Sequence, residues 1–151
     1  MKTVKVVILF FIVILVLISC ATNISSIKED PRKYINKPVT IKGMVIDVNR
    51  IPLTSLKIVE IYDRTDTIYV LTNREVKKNR KSAFKGEIIP INRQIPKEKA
   101  RILQMKVAEF LIDNDLASPR EAKQYARKIL EFLVKVVPKN ELTIFMLAHK
   151  T

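Results

Sequence analysis

The sequence is poor in the residues that most often build reactive sites. Among 151 residues there is one cysteine, one histidine, two glycines and no tryptophan. A single thiol, Cys20, cannot close a disulfide within the chain, and it cannot make a cysteine-based zinc site. His149 stands alone near the end and reads as a surface residue rather than a base or ligand. Gly43 and Gly86 are too few and too far apart for a loop that cradles phosphate. Asp63 and Asp66 are close enough to suggest a carboxylate pair, but they read better as a turn, and Asp113 and Asp115 as a helix end. No catalytic, metal or cofactor motif is left, so the chain is read as a non-enzyme.

Acidic residues are also scarce. The chain holds 28 Lys and Arg against 15 Asp and Glu. Lys2 and Lys5 precede Cys20, so the part from Cys20 onward carries 26 against 15, a net charge of +11. Such an excess points to an anionic neighbour: lipid headgroups, an acidic polymer, nucleic acid or an acidic protein. A solubilising lysine-rich surface is the plainer account.

The start of the chain differs from the rest. After Lys2 and Lys5, residues 6–18 form an unbroken apolar run of 13. As a helix it would span roughly 20 Å at about 1.5 Å per residue, short for a bilayer core about 30 Å thick. A charged start, a short apolar stretch and a small residue before the cut describe a secretory signal. Leu17-Ile18-Ser19-Cys20 resembles the bacterial lipobox, with Leu17, Ser19 and Cys20 matching and Ile18 a less common choice. That resemblance implies a diacylglycerol thioether on Cys20, cleavage before it, and further acylation, palmitate included, of the new amine. Two or three chains give stable anchoring where one binds only marginally. An uncut signal anchor or a chance cysteine are the alternatives. Ala21 follows where Asp would signal inner-membrane retention, so in a Gram-negative cell the resemblance implies the outer membrane, facing the periplasm. Residues 21–27 read as a short, flexible polar tether.

From residue 37 the pattern has period two. Val39, Ile41 and Val45 alternate with Thr40, Lys42 and Met44, which predicts a half-buried strand, with Gly43 marking a bend. Residues 51–55 connect to a second strand over 56–62, residues 63–66 form a turn, and 67–72 a third strand. A fourth is expected over 83–91, with Pro90 arguing against a central place. Residues 75–82 lack an apolar face and predict a basic loop. Leu103, Val107, Phe110 and Leu111 line one face of a helix starting near Pro96. Ser118-Pro119-Arg120-Glu121 reads as a capping box opening a second helix. That helix carries Ala122, Tyr125, Ala126, Ile129, Leu130, Leu133 and Val137 on one face and stops at Pro138. Residues 142–148 are apolar but for Thr143 and read as a last strand.

Tyr34, Val39-Thr40-Ile41-Lys42-Gly43-Met44-Val45 and Ile61-Tyr62-Asp63-Arg64-Thr65-Asp66-Thr67-Ile68-Tyr69-Val70 together resemble the OB fold of anticodon-binding-like modules and small bacterial envelope proteins. Asp66 stands where that pattern has glycine. The resemblance implies a mainly β architecture with α: a small OB-type β-barrel over 30–92, after a signal peptide (1–19) and the lipidated cysteine with its tether (20–29). Residues 93–151 then add a helical hairpin and a closing strand.

An OB barrel binds through its outer face around strands two and three. If Ile61, Ile68 and Val70 point inward, Tyr62 and Tyr69 point outward together, beside Arg64 and the run Arg74, Lys77, Lys78, Arg80, Lys81 and Lys85, where Glu75 is the only acid. This suggests a stacking platform with a cationic rim. Two alternatives stay open: that the helices cover both tyrosines, and that the basic run is a solvated loop. Export disfavours nucleic acid. The resulting expectation is a non-enzymatic interaction module, anchored to a membrane and meeting an envelope protein, or an acidic polymer or oligosaccharide, without a cofactor.

Overall fold

A computed structural model describes residues 21–91, 97–136 and 143–149. The apolar run, Cys20, Pro96, Val137, Pro138 and Leu142 lie outside them. The described chain runs α1 (Ile24–Glu29), a 3₁₀ turn (Pro31–Tyr34), β1 (Val39–Arg50), β2 (Lys57–Tyr62), β3 (Thr67–Thr72) and β4 (Lys81–Ile91). It continues with α2 (Lys97–Asp113), α3 (Pro119–Val136) and β5 (Thr143–Ala148).

The five strands close into a barrel in the order β1-β2-β3-β5-β4, with β4 returning to β1. Every pair is antiparallel except β3 with β5. Alternation sorts the side chains as the sequence predicts. Val39, Ile41, Val45, Val59, Ile61, Ile68, Val70, Phe84, Ile88, Ile144 and Met146 form the interior. A bulge between Val45 and Asp47 bends β1 as it passes from one neighbour to the other. Gly43 lies just before it, where an added Cβ would stand 2.6 Å from both Ile61 Cγ2 and the Tyr62 carbonyl oxygen.

Gly86 sits where β4 changes partners. It faces Val39 of β1 on one side and Ala148 of β5 on the other. A Cβ there would meet the Leu147 carbonyl oxygen at 2.1 Å. Beyond Gly86 the register of β4 is with β5 alone, so Pro90, opposite Ile144, sits in a stretch paired on one side only.

α2 and α3 cover a second face of the barrel. Ile58, Leu71, Phe145 and Leu147 point outward, yet they are buried against Leu103, Val107, Leu111, Ala126, Ile129 and Leu133. This explains why β5 is apolar from Ile144 to Ala148: Ile144 and Met146 enter the barrel while Phe145 and Leu147 meet the helices. The capping box at Ser118 is half formed. Glu121 accepts the Ser118 backbone N–H at 3.2 Å. The Ser118 hydroxyl, however, donates to the same carboxylate instead of accepting a helix N–H.

The flexible tether expected over residues 21–27 is not what the chain forms. Ile24 and Ile27 are fully buried and plug one end of the barrel. The Thr22 N–H donates to the Thr40 carbonyl at 2.8 Å. Polar composition concealed two isoleucines three residues apart, which one helical turn places on a single face. No helix among the described residues is long and apolar enough to cross a membrane.

Candidate binding groove on the barrel wall

The end of the barrel closed by α1 is organised by one carboxylate. Asp63 opens the β2–β3 turn and accepts the Ile24 N–H at 2.7 Å, the Thr65 N–H at 2.8 Å, the Thr65 hydroxyl at 2.6 Å and the Asp66 N–H at 3.1 Å. Thr65 Oγ1 in turn accepts the Ser25 N–H at 3.1 Å. The first N–H groups of α1 are thus capped from about forty residues away, while Asn23 offers no side-chain cap. Lys28 Nζ reaches Asp66 at 2.5 Å. Burial works against charge on both carboxyls, but the donors around them outweigh it. The Thr65, Ile24 and Asp66 groups hold Asp63, and Lys28 and the Thr67 N–H hold Asp66, below the ordinary carboxylate value. The two aspartates are the turn expected from the sequence, and they also fasten the N-terminal helix.

Beside this turn the barrel wall is open. A groove of about 720 Å³ is lined by Lys42, Gly43 and Met44 of β1, Tyr62, Asp63 and Arg64 at the end of β2, and Lys81, Ser82 and Ala83 of β4. Its floor follows from strand register. Met44 lies opposite Tyr62 on one side and Lys81 on the other, and Lys42 lies opposite Ala83. Alternation turns Lys42, Met44, Tyr62, Lys81 and Ala83 outward together. Met44 keeps 38% and Tyr62 43% of its surface exposed. The side chains of Lys42, Arg64 and Lys81 are exposed and make no hydrogen bond or ion pair among the described residues. Asp63 is the one carboxylate in the lining, and its oxygens are taken up by the turn and α1. Arg64 occupies the left-handed region with φ 79°, so the turn presents its side chain at the cost of backbone strain.

Only part of the expected site assembles here. Tyr62, Arg64 and Lys81 come together, whereas Tyr69 does not join them. It points outward as predicted, opposite Glu60, but packs half-buried against the cluster under α2 and α3. Burial pushes its hydroxyl above the ordinary value, and the Glu60 and Asp47 carboxylates add to the effect. Arg74 is a strut: its guanidinium lies 4.6 Å above the Phe84 ring and donates to the Ala83 carbonyl at 3.0 Å. Lys78 reaches Asp47 at 3.5 Å. Glu75, the only acid of the loop, pairs at 2.7 Å with Lys57, whose side chain is almost buried. Lys77 and Arg80 are exposed on the loop outside the groove lining. Val45 exchanges backbone hydrogen bonds with Arg80 and Asn79, which fixes the end of the loop against β1. Lys42 and Met44 belong to the groove and were not picked out from the sequence. Their alternation with Ile41 and Val45 already placed them outward, but nothing in the sequence placed β4 beside β1.

His149 is partly exposed, with its ring 6.0 Å from that of Phe110 and its Nε2 3.9 Å from Glu87. Comparison with family models, curated proteins and solved structures finds no match to the chain.

Proposed function

We propose that this chain is an envelope lipoprotein, anchored through Cys20, whose barrel is an OB-type module that binds an acidic chain molecule along the Tyr62 groove. The carrying observation is the groove itself. Three cations without partners among the described residues, Lys42, Arg64 and Lys81, surround an exposed tyrosine and methionine on the barrel wall. Aromatic faces stack on planar or ring-shaped ligand units, and cations pair with their acidic groups. An acidic oligosaccharide supplies both partners, and it is present outside the cytoplasm, where the lipobox-like signal directs the chain.

The OB assignment draws on five strands that close around an apolar interior, with two consecutive antiparallel hairpin pairings, β1–β2 and β2–β3, and a crossover that sets β4 beside β1. The helical pair between β4 and β5 departs from the common form. It also bears on the site, because such barrels usually bind over strands two and three and the adjoining loops. Here α2 and α3 occupy the outside of β3 and the start of β2, which leaves the Tyr62 end open. Among the described residues no three His, Cys, Asp or Glu side chains gather as metal ligands, and a binding role needs none.

Fatty-acid labelling tests the anchor: label that depends on Cys20 supports it, and label that persists in Cys20→Ala removes it. Titration of the full chain in detergent with sulfated dextran and polyglutamate tests the groove. Binding that a Lys42→Ala/Lys81→Ala variant loses, with unchanged thermal stability, supports the proposal. No binding to either polymer at low salt, with a stoichiometric protein recovered by crosslinking from membranes, would assign an adaptor role instead.

A further inference from the structure

We propose that the end of the barrel around Thr22, Lys33, Tyr34, Lys37 and Lys85 lies against the bilayer and contacts anionic phospholipid headgroups, so that the protein stands on the membrane in one fixed orientation. This rests on the lipid anchor at Cys20 proposed above. Two independent observations carry it.

The first is the lack of slack between anchor and domain. Thr22 is hydrogen-bonded to Thr40 in β1, and Ile24 is buried in the barrel end. Cys20 is two residues before Thr22. Two residues reach at most about 7 Å when fully extended, so acyl chains on Cys20 hold the Thr22 corner of the domain at the membrane. A tether of ten or more free residues would set no orientation; this chain does.

The second is the chemistry of that corner. A concavity of about 450 Å³ is lined by Thr22, Lys33, Tyr34, Lys37, Pro38, Val39, Thr40 and Lys85, three lysines and no acid. Lys33, Lys37 and Lys85 are exposed. Lys85 is brought there by its register with Thr40 across β1 and β4. Lys33 lies 5.8 Å over the Tyr34 ring, which keeps its ammonium group beside the concavity. Glu29, Asp30 and Glu87, the nearest acids in sequence, stay outside the lining, and Glu87 lies 3.9 Å from His149 Nε2. Cations held within a Debye length of a charged bilayer, about 8 Å at physiological salt, feel its potential directly. The groove at Tyr62 begins at the next outward pair of β1 and β4, Lys42–Ala83, and runs on to Met44–Lys81.

The test uses the full lipidated chain in vesicles of phosphatidylcholine with or without phosphatidylglycerol. Exposed amines are acetylated with a water-soluble reagent, and each lysine is quantified by mass spectrometry. Lys33, Lys37 and Lys85 should be modified severalfold more slowly in the phosphatidylglycerol vesicles, and the protection should vanish in high salt. Lys106 and Lys123, exposed on α2 and α3, should not change. Uniform modification of all five on protein whose Cys20 peptide carries lipid overturns the orientation but leaves the anchor standing. A Cys20 peptide without lipid overturns the anchor and the orientation with it. Protection at Lys42 and Lys81 in place of Lys33 and Lys37 overturns the orientation by laying the groove on the membrane.

Discussion

Asp63 shows how much of this fold hangs on one side chain. It was legible as a turn residue because Asp-x-Thr sequences bond their own backbone. Its second task, capping α1, joins residues 39 apart in sequence and could not be read from local pattern. Asp63→Ala leaves the Ile24, Thr65 and Asp66 N–H groups without their acceptor. It should cost about 1–3 kcal/mol of stability, measured by denaturant unfolding. Because the folded carboxyls of Asp63 and Asp66 titrate below their ordinary 3.8, the unfolded chain takes up their protons first. Their contribution is therefore complete above about that value and is lost as the pH falls through the lower folded values. Melting temperature should drop along that acid limb, and less steeply in Asp63→Ala. Arg64 makes the opposite kind of prediction. Its φ of 79° suits glycine, so Arg64→Gly should leave stability unchanged or raise it by up to about 1 kcal/mol while weakening polyanion binding. A variant that loses stability and keeps binding would remove Arg64 from the site.

At the scale of elements, alternation was the reliable signal. Inward and outward positions of β1, β2 and β3 follow from Val39-Thr40-Ile41-Lys42 and Ile61-Tyr62…Ile68-Tyr69-Val70, and the structure places them so. Which strands become neighbours was not legible, and that alone decides that Lys42, Met44 and Lys81 share a groove. The fate of Tyr69 was equally hidden, because the sequence shows that α2 and α3 have apolar faces but not which sheet surface they cover. The missed helix α1 was too short for a periodic signal, since six residues hold fewer than two turns. Its importance can be measured. Ile27→Ala opens a cavity at the barrel end and should cost about 2–5 kcal/mol. Gly86→Ala should be worse tolerated than any exposed substitution, because its Cβ meets backbone rather than a movable side chain. Thermal unfolding of the two variants beside Lys106→Ala, an exposed change on α2, checks both.

For the whole molecule, the distribution of charge matters more than its sum. A net +11 after Cys20 was plain from the sequence, and a solvated lysine surface was a fair account of it. The structure divides that charge. Lys57, Arg74 and Lys78 are tied to Glu75, Ala83 and Asp47. Lys42, Arg64 and Lys81 surround the groove, and Lys33, Lys37 and Lys85 the corner next to Thr22. The central claim is that the groove cations bind an anionic chain, and the salt dependence of that binding tests it most directly. Affinity for sulfated dextran should fall linearly with log salt, as counterions released on binding are recaptured. Each groove cation removed should lower the slope by about 1, so Lys42→Ala/Arg64→Ala/Lys81→Ala should lower it by about 3, whereas Lys106→Ala/Lys123→Ala/Arg127→Ala on the helices should not change it. Equal slopes and affinities for the two triple variants would contradict the account.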